Sequence, residues 1–274
     1  MTAARAICVA FAGALASVIP DCARAQGQFD ATYTLSMAGI SVGQLDWRAS
    51  IGAASYSSSV VGRARGLVRM LLNVEGKASV RGSIRNGQAW PALFMSAATS
   101  DLGASSVQMT LQTGNVSDLD VVEPPHESDH LPITDAHKSG VADPLSALLI
   151  PAAAGDPLQA SACERSMQIF DGRRRFDLTL TYRRMAEAKP DRGYQGKALV
   201  CSVVFQPIAG HRTSSPLVRF ATGSREIEVW FVPIAGTNML APIRLHVASA
   251  LGNMVLRADT FETSASAGAG AGRI

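Results

Sequence analysis

The residues best suited to metal chemistry lie in a short polar segment, where His126, Glu127 and His130 reproduce the H-E-x-x-H spacing. On a helix, this spacing directs two imidazoles at one Zn²⁺ and places the glutamate beside the metal-bound water, as in zinc hydrolases. Prolines stand directly before the segment and two residues after it, and they disfavour a helix there because they lack an N–H and clash with the preceding turn. We therefore expect a solvated loop with no metal and no cofactor, and a zinc-dependent hydrolase using these three residues is the alternative.

A second motif, Gly39-Ile40-Ser41-Val42-Gly43, matches the G-x-S-x-G pattern of serine hydrolases. That chemistry requires a parallel strand before the serine and a helix after it, so that the hydroxyl is lifted above the sheet. Here the residues that follow alternate between apolar and polar, which is typical of a strand. We expect a hairpin between residues 29–37 and 42–51, and we assign no catalytic residue.

Four basic residues are the candidate binding residues: Arg173, Arg174, Arg175 and His211. The three arginines follow an Asp-Gly turn signal, and guanidinium groups suit phosphate or an acidic sugar. Charges at a hairpin tip are also commonly only solvated. The arginine tip and His211, at the rim of the predicted sheet, form the contact surface in a scaffold interpretation of the protein.

The first 25 residues have the order of a secretory signal: a positive charge, an apolar run, a helix-breaking proline and a small-residue A-x-A site. We expect cleavage after Ala25 and export to the periplasm. The apolar run is too short for a transmembrane helix, which needs about 20 apolar residues, and we expect no transmembrane segment in the mature chain. Cleavage lowers the net charge from +3 to +2, because two arginines and one aspartate leave. So small an excess does not suggest nucleic acid as a partner.

Cys163 and Cys201 are the two cysteines that remain after such a cleavage. A pair of thiols in an exported protein is expected to form a disulfide. A metal pair or a redox pair is the alternative, but the C-x-x-C spacing is absent.

Two-residue alternation dominates the rest of the chain and predicts half-buried strands. The predicted strands are residues 29–35, 42–51, 55–61, 77–84, 106–111, 176–182, 199–205, 226–232, 243–247 and 254–261. Turn signals such as Asn86-Gly87 and Asp171-Gly172 join neighbours as hairpins. We predict an all-β, mainly β fold: a curled antiparallel sheet or partly open β-barrel, because a long open sheet would expose its edges.

One or two short helices complete the prediction, at residues 66–72 and 143–149. The second has a strong start signal, since Asp143 can cap the helix and Pro144 suits its first position. We expect one β-rich domain at residues 26–263, its halves joined by a long loop at 123–140, and a disordered tail at 264–274.

The strand pattern also constrains the disulfide. If residues 166–170, 173–183 and 197–206 form three adjacent antiparallel strands, the two cysteines face residues near Leu180 from opposite sides, and strands two apart in a sheet are separated by about 9.6 Å. Bridged Cα atoms lie within about 4.4–6.8 Å of each other. We therefore expect Cys163 to lie outside the strand, on a segment that crosses the sheet and is pinned onto the strand of Cys201.

Several short motifs together resemble a known family. They are Ile133-Thr134, His137, Gly140-Val141, 143–147, Cys163, 169–176, Cys201 and 207–212, with Tyr33, Gly39-Ile40, Gly43 and 90–94 in a looser first half. This set is similar to the domain-of-unknown-function family 3108, a bacterial family of exported proteins. The resemblance covers nearly all of the mature chain and implies a β-rich envelope protein, with no catalytic residues to carry over.

We expect a non-enzymatic periplasmic protein whose concave apolar side holds a lipid or another envelope component such as a glycan. The expectation comes from export combined with a high apolar content on a barrel-like strand pattern, where cavities are common. The zinc hydrolase and an envelope scaffold or assembly partner remain the alternatives.

Overall fold

The computed structural model describes residues 27–66, 69, 73–101, 103–122, 131–153, 155–212, 218–219, 222, 226–248 and 252–265. Fifteen strands in this part of the chain join into one sheet. They are β1 (Gly27–Met37), β2 (Ile40–Ile51), β3 (Ser55–Ala64), β4 (Glu75–Arg85), β5 (Gln88–Ser100), β6 (Gly103–Gln112), β7 (Asn115–Val122), β8 (Ile150–Pro151), β9 (Arg165–Phe170), β10 (Arg175–Ala188), β11 (Arg192–Gly193), β12 (Gly196–Ala209), β13 (Glu226–Pro233), β14 (Met239–Ala248) and β15 (Met254–Ala265).

The sheet runs in the order β7-β6-β5-β4-β3-β2-β1-β15-β14-β13-β12-β10-β9, and each neighbouring pair along this path is antiparallel. Two short strands lie off the path: β8 pairs with β14, and β11 pairs in parallel with β15. The end strands β7 and β9 do not pair with each other. The predicted fold class, a curled antiparallel sheet that is not fully closed, is confirmed.

Every strand predicted from alternation lies within an observed strand, but alternation does not predict the long strands β5 and β7, the six-residue β9 or the two-residue strands β8 and β11. Pro91 obscured β5, because proline removes a ladder donor; pairing with β6 begins only at Leu93, so no strand on that side needs its N–H. In β7 a register shift against β6 breaks the alternation, and the half-buried residues are Val116, Leu119 and Val121. Local irregularities of this kind are invisible to a strict two-residue pattern.

The two ends of the curled sheet meet at the turn between β9 and β10. The Arg173 guanidinium donates to the backbone carbonyls of Ser106 and Val122, both at 2.9 Å, and so ties this turn to β6 and β7. Gly172 has φ +92° and packs so closely on the Val107 side chain that a Cβ atom would collide with it. The sheet therefore encloses a lumen although no ladder closes it.

Residues 140–151 pass between the sheet ends, because the Val141 N–H donates to the Gly114 carbonyl beside β7 and Ala142 exchanges hydrogen bonds with β9. The segment then enters the lumen, where Leu145 and Leu149 join the apolar core. It carries the one-turn helix α1 (Pro144–Ala147), which is the second predicted helix, shorter than expected. Asp143 caps α1 as predicted, since its carboxylate accepts from the backbone N–H groups of Leu145 and Ser146 at 2.9 and 3.1 Å. The first predicted helix, at 66–72, falls mostly outside the described residues.

Two apolar clusters fill much of the lumen. One surrounds the aromatic residues of β1, β2 and β15, where Phe29 stacks on Phe261 at a ring-centroid distance of 5.3 Å. The other surrounds the disulfide between Cys163 and Cys201, whose Cα atoms lie 5.6 Å apart. Cys163 follows the 3₁₀ turn Ala160–Ala162 and precedes β9, so it lies outside the strand, as predicted.

Candidate ligand-binding lumen

The side chains that face the lumen become smaller and more exposed from one end of the sheet to the other. We call the end where β1 begins the lower end and the end where β1 finishes the upper end. Along β3, Tyr56 and Ser58 are buried near the lower end, whereas Val60, Gly62 and Ala64 are half-buried toward the upper end. The same decrease in size occurs in the three following strands, with Val80, Ala78 and Gly76 in β4, Phe94, Ser96 and Ala98 in β5, and Met109, Val107 and Ser105 in β6.

This decrease leaves two hollows at the upper end. The first, which we call the leucine hollow, has a volume of about 260 Å³, and its lining is entirely apolar. Strands β10, β12, β13 and β14 supply most of it, through Leu178, Leu180, Val203, Phe205, Val229 and Leu245. Four of these six side chains are only half-buried, which means that they contact an open space and not a filled core.

The second, which we call the glycine hollow, has a volume of about 500 Å³ and lies over β2 to β6. Its lining includes Leu45, Val60, Gly62, Gly76, Ala78 and Ala98. Three charged residues near the hollows do not reach the lumen: Arg63 and Lys77 alternate with the lumen-facing residues of β3 and β4 and so point to the outer face, and Arg244 lies over the Trp230 ring. The upper lumen is thus mainly apolar.

Tyr33 and Trp47 line the leucine hollow, with ring centroids 6.3 Å apart, and their cross-strand partners Leu45 and Val60 line the glycine hollow. Their polar atoms are satisfied within the protein, because the Tyr33 hydroxyl donates to the Pro242 carbonyl at 2.7 Å and the Trp47 indole N–H donates to the Ser58 hydroxyl at 2.7 Å. Burial raises the pKa of Tyr33, so the hydroxyl stays neutral. Both residues therefore act as apolar walls toward the lumen.

A larger depression, of about 760 Å³, lies on the sheet between β1 and β5. Most of its lining residues are polar, among them Arg48, Ser50, Ser57, Ser59, Ser79 and Arg81. At an open surface, water hydrogen-bonds to hydroxyl and guanidinium groups, so the polar groups of this depression do not require a ligand. The smaller leucine hollow is the better candidate, because its apolar lining cannot be satisfied by water.

The three candidate arginines lie at the upper end, and each is engaged within the protein. Arg173 holds the sheet ends together, and Arg175 is buried, donates to the Phe176 carbonyl at 2.8 Å and pairs with Asp177. Arg174 is exposed and lies 3.7 Å from the Asp171 carboxylate. Their role in binding stays a prediction.

His211 is buried at the same end, in edge-on contact with the rings of Phe176 and Phe205. Since Phe205 lines the leucine hollow, His211 supports its wall from behind. Burial and the Arg174 charge lower the pKa of His211, and the backbone of Arg175 opposes this shift. The Arg175 backbone nevertheless forms no hydrogen bond of good geometry with the His211 ring. His211 is therefore neutral near pH 7, and its predicted role in binding also remains untested.

A buried polar network anchors the segment that enters the lumen. The Ser146 hydroxyl bonds to the Asp143 carboxylate and to the Tyr56 hydroxyl of β3. Burial raises the pKa of Asp143 to about 6 in spite of its hydrogen bonds, and burial together with the Asp143 charge raises that of Tyr56. No histidine takes part among these contacts, so we interpret the network as a structural anchor.

The two catalytic motifs have different outcomes. Gly39 forms the turn of the β1–β2 hairpin with φ +84°, and Ser41 lies exposed on β2, which confirms the hairpin interpretation. His126, Glu127 and His130 lie outside the described residues, so the zinc hypothesis stays a prediction. Within the described ranges, no cluster of three or more His, Cys, Asp or Glu side chains is arranged to hold a metal ion.

No helix in the described part of the chain has the length and apolar character to cross a membrane.

The lumen residues were not identified from the sequence. Their signal was nonetheless present, in glycines placed inside well-patterned strands, such as Gly62 in β3 and Gly76 in β4. Glycine weakens a strand and often marks the close approach of another group. Only the register of the sheet shows that the two glycines lie on the same face and line the same hollow.

The family model described as "Protein of unknown function (DUF3108)" matches residues 28–259, which is most of the chain. Among solved structures, the crystal structure of a β-barrel-like protein of domain of unknown function DUF1849 from Brucella abortus is similar at 11% sequence identity, with a TM-score of 0.47. The match covers 88% of this chain and 99% of that chain. No curated protein matches the sequence.

Proposed function

This chain belongs to the DUF3108 family, and because membership assigns no activity, we propose from the lumen that it is a non-enzymatic protein that binds the hydrocarbon part of a lipid. The observation that carries the proposal is the leucine hollow, an apolar space of about 260 Å³ at the upper end of the lumen. Protein interiors are close-packed, and a space of this size lined only by apolar groups is unfavourable when water fills it.

A hydrocarbon chain would relieve this cost, since each buried methylene contributes about 0.8 kcal/mol. The fold also supplies a rigid container, because the disulfide and the Arg173 contacts hold the lumen walls in place. Ligand pockets are typically such pre-formed apolar concavities.

We further propose that the protein works in the periplasm, after cleavage of residues 1–25. The Cys163–Cys201 disulfide supports this location, because structural disulfides persist in oxidising compartments and are rare in the cytosol. The zinc hydrolase remains a hypothesis that elemental analysis of protein purified without chelator decides.

The lipid proposal is tested in two steps. Protein purified under native conditions from the periplasm is extracted with organic solvent, and the extract is analysed by mass spectrometry; we expect a co-purifying lipid. The extracted protein is then titrated with a fluorescent fatty acid, and we expect saturable binding with a blue-shifted emission. Absence of both a co-purifying lipid and saturable uptake would overturn the proposal.

A further inference from the structure

Two glycines of the lumen have no structural requirement within the described part of the chain. Gly62 of β3 and Gly76 of β4 are direct cross-strand partners, and the β3–β4 register has no shift near them. Neither has a positive φ. A Cβ atom at Gly62 would meet nothing nearer than Leu45 Cγ at 3.7 Å, and one at Gly76 nothing nearer than the Ala97 carbonyl oxygen at 3.8 Å.

Glycine inside a strand is normally explained by a turn, a bulge or the close approach of another group. The first two reasons are excluded here by the regular register and the backbone angles. The close approach of another group is not observed among the described residues, because a Cβ atom at either glycine would have neighbours only at ordinary van der Waals distances. The glycines therefore keep the glycine hollow empty, at the expense of strand stability.

Both hollows lie toward the upper end of the lumen and adjoin each other, because Tyr33 and Trp47 line the leucine hollow and their cross-strand partners Leu45 and Val60 line the glycine hollow. A ligand with one hydrocarbon chain would occupy one hollow and leave the other filled with water. We propose that the ligand is a glycerophospholipid with two acyl chains, one in the leucine hollow and one over Gly62 and Gly76. This inference rests on the proposed lipid-binding function and makes the two glycines determinants of its specificity.

The test compares two lipids with the same head group: dioleoyl phosphatidylglycerol and its one-chain lyso form. The shared head group ensures that the two ligands differ only in the number of acyl chains. With delipidated full-length mature protein, we expect native mass spectrometry to show one diacyl lipid per protein. Competition titration should show that the diacyl form binds about tenfold or more tightly than the lyso form, since a second chain is buried.

Gly76→Val and Gly62→Val fill the glycine hollow from its floor. Each should lower the affinity for the diacyl lipid to near that of the lyso lipid, without changing the lyso affinity. Lys77→Val is the matched control, because Lys77 is the exposed neighbour of Gly76 on the same strand. It places the same valine side chain on the opposite face of β4 and should leave the preference for two chains intact.

Thermal unfolding distinguishes an empty glycine hollow from one that another part of this chain covers. Valine suits a strand interior better than glycine does, so both variants should keep or raise the Tm if the hollow is empty. A fall of Tm in both variants, or a two-chain preference that survives them, would overturn the inference. Equal affinity of the wild type for both lipids would also overturn it, whereas failure of the wild type to bind either lipid would contradict the proposed function itself.

Discussion

The disulfide joins Cys201 of β12 to Cys163, which stands just before β9, although β10 lies between these two strands. β10 lies between β9 and β12 in the sheet, yet the two Cα atoms are only 5.6 Å apart. This is possible because Cys163 precedes β9 and lies on a segment that folds over Leu180 and Leu199. The disulfide thereby holds one wall of the lumen to the chain that fills its lower part.

Removal of this bond should weaken the fold. Cys163 and Cys201 are separated by 38 positions, and the chain-entropy model gives about 4 kcal/mol for a loop of that length. We expect the double variant Cys163→Ser, Cys201→Ser to lose roughly 2–4 kcal/mol in urea unfolding. The wild type in excess dithiothreitol is the control and should unfold at the same urea concentration as the variant. An unchanged midpoint in both would mean that packing alone holds the segment.

Filling the leucine hollow should reduce lipid uptake. Val203 is half-buried and lines the hollow, whereas its neighbour Val204 is 65% exposed on the opposite face of β12. Val203→Phe should weaken binding of a fluorescent fatty acid by about tenfold, because the added ring occupies space that the chain would fill. Val204→Phe carries the same change and should bind like the wild type. Equal binding by both variants would contradict a ligand site in this hollow.

The buried carboxyl of Asp143 should make stability depend on pH. Its pKa rises from 3.8 to about 6 on folding, chiefly through burial, so the folded protein holds the proton more tightly than the unfolded chain does. The stability that this group contributes is complete below pH 3.8 and is lost as the pH rises to about 6, by roughly 3 kcal/mol.

Asp143→Asn isolates this effect, because the amide oxygen can still cap α1 but does not titrate. Relative to this variant, the wild type should become less stable between pH 4 and pH 6 and then stay constant, which urea unfolding at several pH values measures. A difference between the two proteins that does not change with pH would show that the carboxyl titrates normally.

Closure of the sheet should depend on Gly172. Alanine there would adopt an unfavourable positive φ and push its Cβ atom into Val107 of β6. We expect Gly172→Ala to lower the free energy of unfolding by about 3 kcal/mol. Gly39→Ala is the control: it has φ +84° but open space around the Cβ position, so it should lose only about 1–2 kcal/mol. Equal losses would mean that the turn does not press on β6.

Much of the fold could be predicted because its signals are local. Apolar and polar residues alternate along each strand, Asn86-Gly87 forms the β4–β5 turn with both residues at positive φ, and Asp143 with Pro144 starts α1. A pair of cysteines combined with strand spacing was enough to predict the path of the segment that carries Cys163.

The candidate site was less accessible to prediction. The structure shows that Arg173 helps to close the sheet and that His211 packs against Phe205, while the binding role expected for both residues stays a prediction. Gly62 and Gly76 could not be recognised as site residues from the sequence, because an isolated glycine in a strand pattern has many explanations. Only the register of the sheet shows that the two glycines pair directly with each other.

The sequence by itself therefore determined most of the strands, which of their faces is apolar, and several of the hairpins that join them. The tertiary structure alone decided how far the sheet curls and where its interior is left empty. The reason is that the curl depends on contacts between distant residues, such as Gly172 with Val107 and Arg173 with Ser106. A hollow is the space that such contacts leave between apolar faces, and no local pattern encodes its volume.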